Sequence, residues 1–172
     1  MKPYLELRYF SFTDVVASVH YDETVFFDAQ FYQKLLSDGF YIADGEDKIF
    51  KVQHISGMHD PYDLDENANE VSYEESNPKM MRAGLNVIMT EYLNQLKKLG
   101  VYDNSTIIFT ADHGDGGGEF SLQPTVMIKR KGESHDSLVI DSAPISHLDF
   151  LPTILSYIGE DYSSFGSGTT IY

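Results

Sequence analysis

The sequence predicts an α/β fold: a mostly parallel sheet flanked by helices. Three observations predict it. Apolar residues at helical spacing between Asn77 and Gly100 read as one long amphipathic helix. An alternating stretch before it, Lys48 to Ile55, reads as a strand, and so does a β-rich run after it, Ser105 to Thr110. Strand, helix, strand is a βαβ unit, which makes its two strands parallel with a right-handed crossover.

The elements follow in chain order. The first 25 residues are aromatic-rich (Tyr4, Tyr9, Phe10, Phe12) and carry no clear period, so no element is assigned there. Asp28 to Leu36 reads as a short helix, with Asp28 as N-cap and Gly39 just past its end. In the first strand Ile49, Lys51, Gln53 and Ile55 share one face, and Phe50, Val52 and His54 the other. From Asp60 to Glu75 the charged residues are all acidic (Asp60, Asp63, Asp65, Glu66, Glu70, Glu74, Glu75), without the regular spacing of a calcium loop. A solvated surface loop is expected there.

In the long helix, Asn77 caps the start, Pro78 fits its first turn and Gly100 closes the end. Met81, Leu85, Ile88, Tyr92, Leu96 and Leu99 form its apolar stripe, and Lys97 and Lys98 complement the dipole of its last turn. The apolar centre of Ser105 to Thr110 suits a strand buried on both faces. Thr125 to Lys129 and Ser137 to Ile140 read as further short strands. Asp149 to Ile158 is a closing helix, with Asp149 as cap, Pro152 in the first turn and Gly159 beyond the end.

At 172 residues the chain is sized for one domain, residues 1–172, and 42% hydrophobic content supports a real core. The absence of cysteine excludes disulfides, thiolate metal sites and a Cys nucleophile. With 12 basic against 27 acidic residues the formal net charge is -15. That field repels phosphate backbones and anionic membranes, so no nucleic-acid partner is expected, and it suits divalent cations better. Apolar runs such as Ile107-Ile108-Phe109 are far shorter than a membrane span, and Met1 to Tyr4 does not open a signal peptide. The chain is expected to be soluble as written.

In parallel sheets, ligands gather beyond the carboxyl ends of the strands. Two polar clusters fall at such ends, His54 to Tyr62 and Asp112 to Asp115. Asp112 and His113 offer a hard oxygen and an imidazole nitrogen, a pairing suited to Zn2+ or Mn2+. Both can face one ion only where the chain turns, and Gly114 permits the turn. On spacing alone, a capping Asp beside a histidine satisfied at a loop is the preferred reading of the pair. His59 suits an anionic substrate group or a metal, whereas His54, inside the strand, is expected to pack. Asp115 and the Gly116-Gly117-Gly118 run could cradle an anion, but no P-loop lysine follows, so a flexible loop is preferred. No Gly-x-Ser-x-Gly elbow is present, which disfavours an α/β-hydrolase. His20, His135 and His147 show no partners in sequence, and His147 reads as structural.

Three blocks resemble, in order, the C-terminal half of sulfatase-like enzymes of the alkaline phosphatase superfamily. They are His59-x-Pro61-Tyr62, the run Val101 to Gly114 (Val-Tyr-Asp-Asn-Ser-Thr-Ile-Ile-Phe-Thr-Ala-Asp-His-Gly), and Pro144 to Leu155. The resemblance spans about residues 48–159 and is nearest to the bacterial cell-surface branch, which includes lipoteichoic acid synthases and phosphoglycerol and phosphoethanolamine transferases. It implies that Asp112 and His113 are metal ligands, with Mn2+ or Zn2+ favoured over Mg2+ or Ca2+. It implies that His59 contacts the phosphate or sulfate ester being transferred, and that Asp149 to Thr153 is a structural signature with Asp149 as a helix cap. The implied chemistry is displacement at phosphorus or sulfur by a metal-activated Thr, Ser or formylglycine through a covalent enzyme ester.

The family's nucleophile and a further acidic metal ligand lie upstream of the His-x-Pro block. Ser11 and Thr13 lack the expected surroundings, so no catalytic residue is assigned. Glycines stand where relatives carry another histidine after Asp-His-Gly, and the surface branch's membrane anchor is missing. The expectation is therefore a C-terminal part of a domain whose N-terminal half is its partner, inactive alone and self-associating through exposed edges. By resemblance the full-length protein works at the extracytoplasmic face of the cell membrane. The alternatives are part of a true sulfatase, or a binding or scaffold module that keeps the fold without the chemistry.

Overall fold

The computed structural model describes residues 28–42, 51, 53–114, 124–161, 163 and 168–171. The aromatic N-terminal stretch with Ser11, Thr13 and His20, residues 48–50 and 52 of the expected first strand, and the Asp115 to Gly118 run lie outside them. The chain divides into two compact units, Met1–Tyr102 and Asp103–Tyr172.

Among the described residues the first unit carries the helices α1 (Asp28–Asp38) and α2 (Pro78–Lys98). The side chain of Asn77 accepts the free N–H groups of Lys79 and Met80, and Pro78 occupies a position whose N–H needs no partner. At the other end Gly100 adopts φ +71°, and the N–H groups of Leu99, Gly100 and Val101 close onto Gln95, Lys97 and Leu96 carbonyls. Both ends thus match the local signals in the sequence.

Met81, Gly84, Leu85 and Ile88 are the buried positions of α2, one face at i, i+3, i+4 and i+7. They form a core with Ala29, Leu64 and Ala68, flanked by Phe31, Tyr32, Ile55, Tyr62 and Val87. Gln95 ties the helices together: its Nε2 donates to the Leu35 carbonyl at 2.7 Å, and its Oε1 accepts the Phe40 N–H at 2.9 Å. Phe40 meets Tyr92 edge-on at 4.7 Å, and the Lys51 ammonium lies 4.2 Å from the Phe40 ring centre.

The acidic stretch is not simply the solvated loop its composition suggests. Leu64 and Ala68 are fully buried, and Leu64 bridges Glu70 in a tight reversal. The Asp65 carboxylate sits inside the turn, accepting the N–H groups of Asn67 and Asn69, each at 2.8 Å. The turn docks where α2 carries Gly84. A Cβ there would stand 2.5 Å from the Asp65 carbonyl oxygen, so the close approach needs glycine.

The first strand does not form among the described residues: Lys51 and Gln53 to Ile55 are irregular, and His54 is exposed rather than packed. In the second unit, β1 (Ile107–Thr110) pairs with β2 (Val126–Lys129) in antiparallel register, Ile107 opposite Lys129 and Thr110 opposite Val126. The sheet seen among the described residues is therefore two-stranded and antiparallel rather than mostly parallel, and the expected parallel βαβ pairing is not shown among them. β1 is half-buried rather than covered on both faces. Ser137 to Ile140 is irregular, with Leu138, Val139 and Ile140 well exposed. Helix α3 (Phe150–Ile158) ends as expected at Gly159, which adopts φ +79°. No described helix is long and apolar enough to cross a membrane.

Candidate functional site

Asp112 and His113 come together in the second unit, on the bend that follows β1. The Asp112 carboxylate folds back to accept the His113 N–H at 3.0 Å. The His113 Nδ1 lies 2.6 Å from the Gly114 carbonyl oxygen. A carbonyl has no proton to give, so Nδ1 is the donor, and in the neutral ring Nε2 keeps its lone pair. That Nε2 is 3.8 Å from Asp112 Oδ2, and both side chains are about 70% exposed, at 69% and 71%.

These donors suit a divalent ion. Bonds of about 2.0–2.2 Å at a tetrahedral centre would place N and O about 3.4 Å apart, within a small rotation of the exposed side chains. The backbone carbonyl on Nδ1 is the usual outer partner of a ligating imidazole. Among the described residues no third His, Asp or Glu completes a cluster. The residues thus fit two positions of a coordination sphere that needs four or more.

The bend is braced from the turn that precedes α3. His147 Nε2 lies 2.8 Å from the carbonyl oxygen of Ala111, the residue before Asp112, and the His147 ring packs edge-on against Phe150 at 5.2 Å. His147 stands on a single 3-10 turn, His147–Asp149. The Asp149 carboxylate fixes that turn, accepting the Ser146 N–H at 2.7 Å and the Thr169 N–H at 2.9 Å. These bonds hold its pKa below the ordinary carboxylate value, the Thr169 N–H contributing most. Asp149 is therefore a clamp on the turn, rather than a side-chain cap of α3 as the sequence suggests. The Ser146-x-x-Asp149 spacing is the sequence signal that could have shown it.

His59 lies in the first unit, exposed, with Nδ1 against the Asp60 carbonyl. The approach to it is held by Asp28, which is 1% exposed and accepts the Ser56 and Gly57 N–H groups at 2.8 Å each. Gly57 takes φ +67°. The sequence marks Asp28 as an N-cap; its carboxylate instead serves this loop. Burial pushes the Asp28 pKa up, and the two N–H groups and the charge of His54 oppose the rise. Asp63 is raised as well, first by burial and then by the charge of Asp28, and its Oδ1 is enclosed without a hydrogen-bond partner among the described residues.

A family model described as Sulfatase matches residues 13–160, which include His59, Asp112 and His113. The chain belongs to the sulfatase family, whose members are sulfatase-like hydrolases that generally use divalent metals. A search of the curated proteins found no match, and a search of the solved structures found none.

Proposed function

We propose that this chain is part of a metal-dependent phosphoryl transferase or hydrolase, of the phosphoglycerol or phosphoethanolamine type, acting on cell-surface polymers or lipids outside the cytoplasmic membrane. The observation that supports the reading most is the Asp112–His113 pair, with the imidazole held in the tautomer that frees Nε2 beside a carboxylate. Asp112 and His113 would hold Mn2+ or Zn2+, and His59 would contact the phosphate or sulfate group being transferred. When bound, the ion offsets charge developing on the phosphoryl oxygens. Because this chain nominates no nucleophile, a further segment supplies it together with the remaining ligands, and the chain alone does not turn over.

The test is a Mn2+ titration followed by electron paramagnetic resonance, on the wild type and on Asp112→Asn combined with His113→Ala. Weak binding is expected, and the double variant should abolish it; equal affinity in both would overturn the site. The family description itself favours a second reading, sulfate-ester hydrolysis. That chemistry needs a Cys or Ser converted to formylglycine at the nucleophile position, whereas a Thr there favours phosphoryl transfer. The exposed Leu138, Val139 and Ile140 favour self-association. Sedimentation velocity should show the wild type associating and Ile140→Lys doing so less.

A further inference from the structure

We propose that His147 is a positioning residue for the Asp112–His113 pair, acting through the carbonyl between Ala111 and Asp112. This rests on the metal reading only for its consequence; the geometry stands by itself. The Ala111 oxygen can only accept, so His147 carries its proton on Nε2 and donates across 2.8 Å. That bond fixes the peptide plane whose nitrogen belongs to Asp112, and hence the direction in which the Asp112 side chain leaves the backbone. The next peptide is fixed in turn by the Asp112 carboxylate on the His113 N–H, and the His113 ring by the Gly114 carbonyl. The pair is exposed and receives no support from burial, so these polar contacts carry its orientation.

The His147 end is better anchored than the bend it serves. Its ring is stopped by Phe150, and its backbone turn is held by Asp149 through Ser146 and Thr169. The Thr153 hydroxyl joins the same brace, donating to the Asp149 carbonyl and accepting the Ile171 N–H at 3.0 Å. The block Asp149 to Thr153 thereby connects, through the His147 imidazole, to Ala111, 36 positions upstream of that histidine.

The experiment uses the full chain labelled with 15N, at a pH well above the ordinary imidazole range. Long-range 15N–1H spectra of the wild type should show His147 as the Nε2–H tautomer and His113 as the Nδ1–H tautomer. His147→Gln retains a donor, whereas His147→Met has similar length and none. Met should move the Asp112 amide nitrogen resonance and mix the His113 tautomers; Gln should leave both close to wild type. Mn2+ binding should weaken about tenfold in the Met variant and recover in the Gln variant. A wild-type His147 in the Nδ1–H form overturns the proposal whether or not the variants fold. So does an unchanged Asp112 amide in a folded Met variant. Should wild type bind no Mn2+, the metal reading fails while the resonances still decide the positioning.

Discussion

Two turns in this chain are held by opposite means. The Leu64 to Glu70 turn of the first unit is fixed by burial: Leu64 and Ala68 have no exposed surface, and Gly84 clears the space they fill. The Ala111 to Gly114 bend of the second unit is exposed and fixed by hydrogen bonds to carbonyls and a carboxylate. Burial fixes a shape by excluding alternatives, and it does so whatever the pH or ion present. Polar contacts leave the side chains in water, where an ion can reach them, at the cost of weaker restraint.

The comparison breaks first if the Leu64 turn is not held by packing. Leu64→Ala should cost about 3 kcal/mol in a denaturant melt, because a fully enclosed site cannot collapse around the void. Gly84→Ala should cost about 2 kcal/mol net, since the clash with Asp65 outweighs the roughly 1 kcal/mol gained in helix propensity. A neutral Gly84→Ala would mean that the turn lifts freely from α2.

Acid sharpens the contrast by acting on the units with opposite sign. The folded pKa of Asp28 lies above 3.8, so its contribution is complete below 3.8 and is lost as pH rises through the folded value. Asp63 acts in the same direction. Glu133, beside β2, is pulled from 4.5 to about 2 by the Arg130 N–H and then by His135 and the Arg130 side chain. Its contribution is complete above 4.5 and is lost as pH falls through about 2. Amide resonances of β1 and β2 should therefore weaken over that acid range, and Glu133→Gln should flatten the dependence. Asp28→Asn should flatten the opposite trend at Ser56 and Gly57. The smallest effect is expected at Ile140, which is 86% exposed: Ile140→Lys should stay within about 0.5 kcal/mol of wild type.

What the sequence disclosed follows from how local each feature is. The helices were legible because their signals lie within them: the Met81 to Leu99 stripe, Asn77 and Pro78, Gly100, and Pro152 with Gly159. The antiparallel pairing of β1 with β2 was not. Ile107-Ile108-Phe109 reads identically beside a parallel or an antiparallel neighbour, because pairing depends on residues far away in sequence. The acidic turn misled because its composition is dominated by carboxylates, while its fit is decided by Leu64, Ala68 and a glycine on another element. At the site, the residue pair was visible as a motif. Its tautomer and its brace from His147 were not, since both depend on which carbonyl each ring nitrogen meets.

The link from Asp149 to Thr169 bears on where the chain can be cut. The family match ends at residue 160, yet the N–H groups of Thr169 and Ile171 bond to Asp149 and Thr153. Gly168 lies so close to Leu148 that a Cβ there would stand 1.9 Å from its carbonyl oxygen. A version trimmed to the matched residues would retain every motif and discard the outer fastening of the turn that carries His147. The family's footprint is thus shorter than the structure that supports its site.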